Sequence, residues 1–551
     1  MHIVVNKTKS GKKIYNSILL RESYREDGKV KKRTIANLSD CSPEEIEAMR
    51  FALRNKDNLD SLINVKEDVQ LEEGLSVGAV WVVYQLAKRL GIEKTLGCDH
   101  SGKLALWQVI ARVLDQGSRL SAVRLARIHA ACDVLGLGRG FNEDDLYSNL
   151  SWLSENQEGI ENRLFALRNS RGTCEIFLYD VTSSYLEGED NYFGAYGYNR
   201  DRKKGKKQIV IGLLCDGHGD PVSVEVFPGN TQDMKTFSSQ VRKAADRFGC
   251  ERVTFVGDRG MIKSPQIKDL PEGFHYITAI TKAQIDSLIS QGVIQMDLFD
   301  SELCEIETSD GIRYILKRNP VRAEEISQNR LAKKRSIEEA INRKNDYLSA
   351  HARAKVSIAE GEIIIKMKRL RVNQWLKIQA KGRGLNLSVE EDVLQEESRL
   401  DGCYVIKTDL PESAASKEVV HGRYKDLALV EHTFRTCKMD FLEVRPVYVR
   451  NEKSTRGHVL VVMLAYMIVR HLQTAWQNFD LTPEEGLKQL ATLASVEIKF
   501  NGKGSCLKIP RPRKSSRELL DAVGISMPLV LPHKEVLVDT RKKLTERRIS
   551  H

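Results

Sequence analysis

The sequence predicts an α/β protein: a mixed sheet with flanking helices, interrupted by an insertion, preceded by a β/helical N-terminal region and followed by C-terminal helices. Three observations carry this. CEIFLYDVTS, KKQIVIGLLCD and DPVSVEVFPGN are consecutive strand-like runs separated by turn-rich links. A helical stretch, TFSSQVRKAADRFG, then leads to two more apolar strands, RVTFVGD and HYITAIT. Residues 282–420 interrupt the pattern before helical spacing returns in RYKDLALVEHTFRTCKM.

Residues 1–40 alternate and turn at SGKK and REDGK, which suggests a small basic β-meander. Ser42-Pro43-Glu44-Glu45 has the form of a capping box with proline at the first helical position, opening a helix to about Asn55. Residues 75–170 read as all-helical, with VGAVWVVYQLAKRLG ending at Gly91 and ALWQVIARVLDQ repeating its spacing. Inside 282–420 lie a charged helix around 322–355 and strand-like pieces near 304–317, 362–368 and 402–408. A helix over 458–475 and a second capping box, Thr482-Pro483-Glu484-Glu485, precede a basic tail. The domain division is 1–70, 71–170, 171–281, 282–420, 421–478 and 479–551, the last expected as helices with a possible role in dimerisation.

The 551 residues carry 86 Lys and Arg against 75 Asp and Glu, a net charge of 86 − 75 = +11. Such a balance suits a polyanion, nucleic acid first, though an ordinary basic soluble protein has it too. The 10 cysteines form no CxxC pair, so neither a zinc site nor a disulfide framework is indicated, and a cytoplasmic compartment fits. The N-terminus lacks the apolar core of a signal peptide. The longest apolar run, VLVVMLAYMIV at 459–469, is too short to span a bilayer and stops at Arg470, so it reads as a buried helix, with no membrane partner.

A buried carboxylate is costly unless it is paired or holds a metal. Asp180 ends the apolar run IFLY, and Asp258 ends RVTFVG. If those strands lie side by side, the two carboxylates meet and repel unless a proton or a cation lies between them. Hard oxygen ligands suit Mg²⁺, and two-ion phosphate chemistry takes a third acid. Glu431 is the candidate, because Tyr424, Leu427, Glu431 and Lys438 are spaced for one face of a helix, with Arg435 one turn beyond Glu431. Each acid also has a plain reading: Asp180 as a turn cap, Asp258 as a turn aspartate in GDRG, Glu431 as an exposed helical glutamate.

YDVTSSYLEG, GYNRDRKKGKKQIVIGLLCDGHGDPVSVEVFPGNTQDMKTF, VGDRGM and YKDLALVEHTFRTCKMDFLEVRPVYVRNEKSTRGHV together resemble, in order, the DDE transposases of bacterial insertion sequences, specifically the IS-four-like branch with a β-rich insertion in its core. The resemblance implies a ribonuclease H-like core and an acidic triad of Asp180, Asp258 and Glu431. It implies two Mg²⁺ ions (Mn²⁺ able to substitute) and double-stranded DNA as partner, both element terminal repeats and target. It also implies a homodimer on DNA. The branch carries a signature helix of Tyr, Arg, Glu and Lys. Tyr424, Glu431 and Lys438 match it, while Leu427 stands at the arginine position, with Arg423 or Arg435 as possible substitutes.

The basic run Arg200, Arg202, Lys203, Lys204, Lys206, Lys207 is either a DNA clamp beside the site or a solvated hairpin tip. Trp375 reads as core or as a base-stacking residue, and His458 as structural or orienting. The rival functions are a DNA-binding derivative or inhibitor without catalysis, and a stand-alone nuclease.

Overall fold

The structure is a computed structural model that describes all residues except 11–12, 58–68, 169–174, 202, 441, 443, 445–446, 501–503, 533–535, 537 and 541–551. The chain forms two compact units, one of residues 1–75, 493–511 and 528–533, the other of 76–492, 512–527 and 534–551.

The first unit opens as the alternation predicts. β1 (His2–Ser10), β2 (Lys13–Glu26) and β3 (Lys29–Asn37) form an antiparallel meander. Asp27 and Gly28 both take positive φ, 51° and 75°, the hairpin geometry that Asp-Gly favours. The Ser42 capping box is formed, and its helix runs Pro43–Arg54. β4 (Val69–Ser76) follows, a strand the sequence reading did not anticipate.

In the second unit, helices Gly78–Arg89, His100–Leu114, Arg119–Ile128 and Glu143–Arg168 make the expected helical region. The strands come next: β5 (Ile176–Tyr185), β6 (Gln208–Asp216), β7 (Pro221–Pro228), β8 (Val253–Gly257), β9 (Phe274–Ala279), β10 (Cys304–Glu307), β11 (Arg313–Arg318), β12 (Leu376–Lys381), β13 (Gly384–Val389) and β14 (Cys403–Thr408). Eight of them form one sheet, ordered β10-β11-β14-β9-β8-β5-β6-β7. β5, β6 and β7 are an antiparallel meander, while β8 and β9 run parallel to β5. That mixed arrangement is the ribonuclease H-like core. Its interior is aromatic: Phe255 meets Phe237 edge-on at 5.3 Å, and Phe177 lies 5.8 Å from Phe255.

The insertion is not a purely β-rich appendage. β10, β11 and β14 join the central sheet beyond β9. Between β11 and β14 stand two long helices, Pro320–Ala350 and Val356–Leu370, and the hairpin β12–β13 around a separate apolar core. The strand expected at 362–368 is therefore helical. Ala359, Ile363 and Met367 recur every fourth residue and face that core, so helical packing overrides the β-branched run IIIK. Trp375 is buried in the same core.

The apolar run at 459–469 belongs to a helix of 24 residues, Glu452–Ala475, longer than the sequence suggested and long and apolar enough to cross a membrane. It is instead buried among the helices of this unit. A Cβ on Gly457 would lie 2.1 Å from the Leu150 carbonyl oxygen, so only glycine permits the approach. Helix Pro483–Ala491 has its Thr482 capping box. The tail is not wholly helical: β15 (Ala494–Phe500) pairs with β16 (Gly504–Lys508), and the two share a sheet with β4.

Candidate active site

Sheet register brings the first two carboxylates together. Tyr179 of β5 pairs in parallel with Gly257 of β8. Asp180 and Asp258 are the next residues on neighbouring strands, whose backbones run about 4.8 Å apart. Phe177, Leu178 and Tyr179 are fully buried, which fixes Asp180 in register, half-buried beside them. Asp258 is both a cavity residue and a turn residue. Its carboxylate accepts from the Arg259 N–H at 2.8 Å, and its carbonyl accepts from the Met261 N–H at 2.9 Å.

The third acid arrives on a broken helix. Ser416 caps helix Lys417–Lys425, and a second helix, Leu427–Arg435, starts after Asp426. A π-helical turn, Thr436–Asp440, follows. Tyr424, Leu427, Glu431 and Lys438 thus do not lie on one continuous helix, as the spacing predicted. They converge nonetheless. Asp180, Asp258, Glu431, Arg435 and Lys438 line a cavity of about 720 Å³. The same three acids, with Tyr424, Leu427 and Tyr404, line an adjoining one of about 370 Å³.

The electrostatics of Asp180 are those of a site short of positive charge. Burial, and then the Asp258 and Glu431 carboxylates, push its pKa up to about 7 against the Val181 N–H bond and Arg200. Glu161 is the contrast within the same unit. It is fully buried, yet it accepts from Ser223 Oγ at 2.9 Å and the Val224 N–H at 3.1 Å and pairs with Arg247 at 3.0 Å. Among the described residues, the Asp180 carboxylate accepts only the N–H of its own neighbour Val181, at 2.7 Å. Burial, with the acids Asp258 and Glu431 alongside, pushes the Tyr424 hydroxyl up to about 12, so it stays a hydrogen-bond donor at neutral pH.

The cations are more committed than their spacing implied. Lys438 is buried and pairs with Asp201 at 3.1 Å. Arg200 forks onto Asp233 at 2.8 and 2.7 Å, and its backbone N–H reaches Ser183 Oγ at 3.0 Å. Lys203 lies over the Tyr185 ring at 5.7 Å, and Lys204 is exposed. Arg202 lies outside the described residues. Of the two candidates to replace the arginine missing at Leu427, exposed Arg435 reaches the cavity, whereas Arg423 pairs with Asp426 at 3.4 Å. Asp201 and Asp233 also line the large cavity. The sequence reading missed both, Asp201 because it sits inside the basic run RDRKK. His458 lies outside the site: it is buried, with Nδ1 2.9 Å from Arg119 Nη2.

The donor set fits a divalent cation of the hard kind: three carboxylates, one of them costly to leave charged without a counterion. Among the described residues no three His, Cys, Asp or Glu side chains are gathered tightly enough to ligate one ion.

Comparison with known proteins gives the family. Residues 172–468, which contain all three acids, match the model of the transposase DDE domain. Residues 3–62 match the IS1634 family transposase N-terminal domain. No curated protein matches the chain. Among solved structures, it is similar to the cryo-EM structure of the piggyBac transposase synaptic complex with hairpin DNA, at 10% identity over 75% of this chain and 76% of that one, with a TM-score of 0.31. The chain belongs to the DDE transposases of bacterial insertion sequences and acts in DNA transposition.

Proposed function

We propose that Asp180, Asp258 and Glu431 are the catalytic acids, and that they hold two Mg²⁺ ions, for which Mn²⁺ can substitute. The observation that carries this is the convergence of the three carboxylates, from β5, β8 and helix Leu427–Arg435, on one cavity where Asp180 has its pKa raised to about 7. Bound there, the ions supply Lewis acidity for an attacking water or DNA 3′-hydroxyl and for the leaving oxygen of an in-line displacement. The protein positions the DNA. Arg435 sits at the cavity wall to meet the backbone phosphate, and the protonated Tyr424 hydroxyl donates from the other side. Lys438 and Arg200 pair with Asp201 and Asp233 and hold them in place at the cavity wall, which leaves Arg435 as the lining cation directed to the phosphate.

The reaction is hydrolysis at the element's terminal repeats, then attack of the freed 3′-hydroxyl on target DNA, by a homodimer in the bacterial cytoplasm. An intact acid set supports catalysis over a binding-only derivative. The test uses a DNA fragment carrying the element's own ends, in Mg²⁺ and in EDTA, with wild type and Glu431→Gln. Metal-dependent cutting and joining, lost in the variant while DNA binding persists, is the expected outcome. Cutting that survives the substitution removes Glu431 from the triad.

A further inference from the structure

Two loops beside the cavity expose four aromatic rings, of which Tyr192 also meets the buried Phe193 edge-on at 5.0 Å. Among the described residues the four most exposed tyrosines are Tyr198 at 83%, Tyr448 at 73%, Tyr192 at 69% and Tyr196 at 66%. Three lie between β5 and β6, and Tyr448 lies on the segment running alongside. The Glu187 N–H donates to the Val447 carbonyl at 3.3 Å, and the Tyr192 N–H donates to the Arg450 carbonyl at 3.0 Å. A tyrosine this exposed removes little apolar surface from water, so burial does not explain four together.

The backbone beneath the rings is held firmly. Ala195 and Gln208 exchange both backbone hydrogen bonds, at 3.2 and 3.0 Å. The Gln208 side chain donates to the carbonyls of Tyr198 and Gly229, at 3.1 and 2.8 Å. Gly197 and Gly229 pack main chain on main chain: a Cβ on Gly197 would meet the Gly229 oxygen at 2.0 Å. Rigid backbone under exposed rings is the form of a recognition surface, because a tyrosine offers large contact area for little lost rotamer freedom.

Charge names the partner. Arg200 lies 5.8 Å from the Tyr198 ring centre, Lys203 and Lys204 follow on the same loop, and exposed Arg450 follows Tyr448. Arg200 also lines both the acid cavity and a neighbouring cavity of about 410 Å³ that Tyr198 borders. Aromatic faces among cations suit unpaired bases on a phosphodiester strand.

We propose that Tyr192, Tyr196, Tyr198 and Tyr448 form a stacking platform for the unpaired DNA strand that leaves the catalytic cavity past Arg200. The placement of that strand rests on the catalytic reading above; the preference for unpaired bases does not. The test therefore reads binding without cleavage. Glu431→Gln protein in EDTA is titrated by fluorescence anisotropy against a blunt duplex and the same duplex with an unpaired tail. Tyr196→Ala with Tyr198→Ala is expected to weaken binding of the tailed duplex about tenfold and to leave the blunt one within about twofold. The paired Tyr→Phe changes should retain tight binding, since the ring and not the hydroxyl stacks. Equal losses on both duplexes, or none, overturn the platform. So does a fall in melting temperature in the alanine variant, which would give the rings a structural role. A platform that passes while wild type fails to cut in metal would leave the platform standing and remove the proposed chemistry.

Discussion

The two strand-borne acids and the helix-borne acid are positioned by opposite means. Asp180 lies within β5 and Asp258 follows the end of β8, each after buried residues and in a register fixed by β5–β8 pairing. Glu431 is exposed, on a short helix bounded by the break at Asp426 and the π turn at Thr436–Asp440. A sheet cannot shift one residue without turning every side chain to the other face, so its two acids hold a fixed spacing. A nine-residue helix between two irregularities can tilt. The three acids therefore combine a floor fixed by sheet register with a wall carried on a short helix.

The largest effect should come from the floor. Asp180→Asn is expected to lower the cleavage rate by at least about a hundred- to a thousandfold. It should raise the melting temperature or leave it unchanged, because the change removes a charge that burial and two neighbouring acids disfavour. Steady-state cleavage and a thermal melt on the same sample check both halves; a destabilised variant would mean the ionised carboxylate supports the fold.

Next comes the anchor of the wall. Lys438 and Asp201 are both buried, with side chains 9% and 3% exposed. Lys438→Met removes the buried cation facing the Asp201 carboxylate, which still accepts the Tyr185 N–H at 3.2 Å, and is expected to cost up to about 3–5 kcal/mol in a denaturant titration. Adding Asp201→Asn should return most of that loss. If the double variant is no better than the single, the pair is not what holds the turn.

These elements also mark what the sequence made legible. Strand runs such as IFLY and VTFVG are apolar on both faces, so both floor acids were readable on their strands, although β5 runs on to Tyr185 and Asp180 lies within it rather than at its end. The 3-4-7 spacing found Glu431, but it implied an unbroken helix. Nothing local in KDLALV announces the break at Asp426, which tertiary packing imposes. β4, β15 and β16 were missed because VQLEEGLS and ASVEIKF are short and half-polar; β15 pairs locally with β16, whereas β4 meets its partner β15 more than 400 positions away.

A smaller effect tests the helix behind the wall. His458, on Glu452–Ala475, is buried facing Arg112 and Arg119, and both burial and these cations hold its pKa well below 6.5. The unfolded chain takes up a proton there before the folded one does. Its contribution is thus whole above about pH 6.5 and falls away as the pH drops. A fall in stability from about pH 6.5 towards pH 5 is expected, and His458→Gln should reduce it in melts across that range.

The smallest effect lies where that helix meets the wall. The Thr433 hydroxyl lies 2.9 Å from the Tyr466 hydroxyl and 2.8 Å from the Leu429 carbonyl oxygen. Tyr466→Phe should cost about 1 kcal/mol, since Thr433 keeps its second partner. A shift in the metal concentration needed for half-maximal cleavage, with the fold otherwise intact, would show that the wall's position tunes ion binding.

The insertion between β9 and the Glu431 helix has a consequence for synthesis. Asp258 and Glu431 are 431 − 258 = 173 positions apart. At roughly 5–20 residues per second, a ribosome needs about 10–35 s to travel between them. Throughout that interval the nascent chain carries two acids and lacks the third, and for most of it β14 has yet to be made to cover the open edge of β9. With the triad proposed above, a nascent chain cannot cut DNA until the last acid has been translated and folded into place.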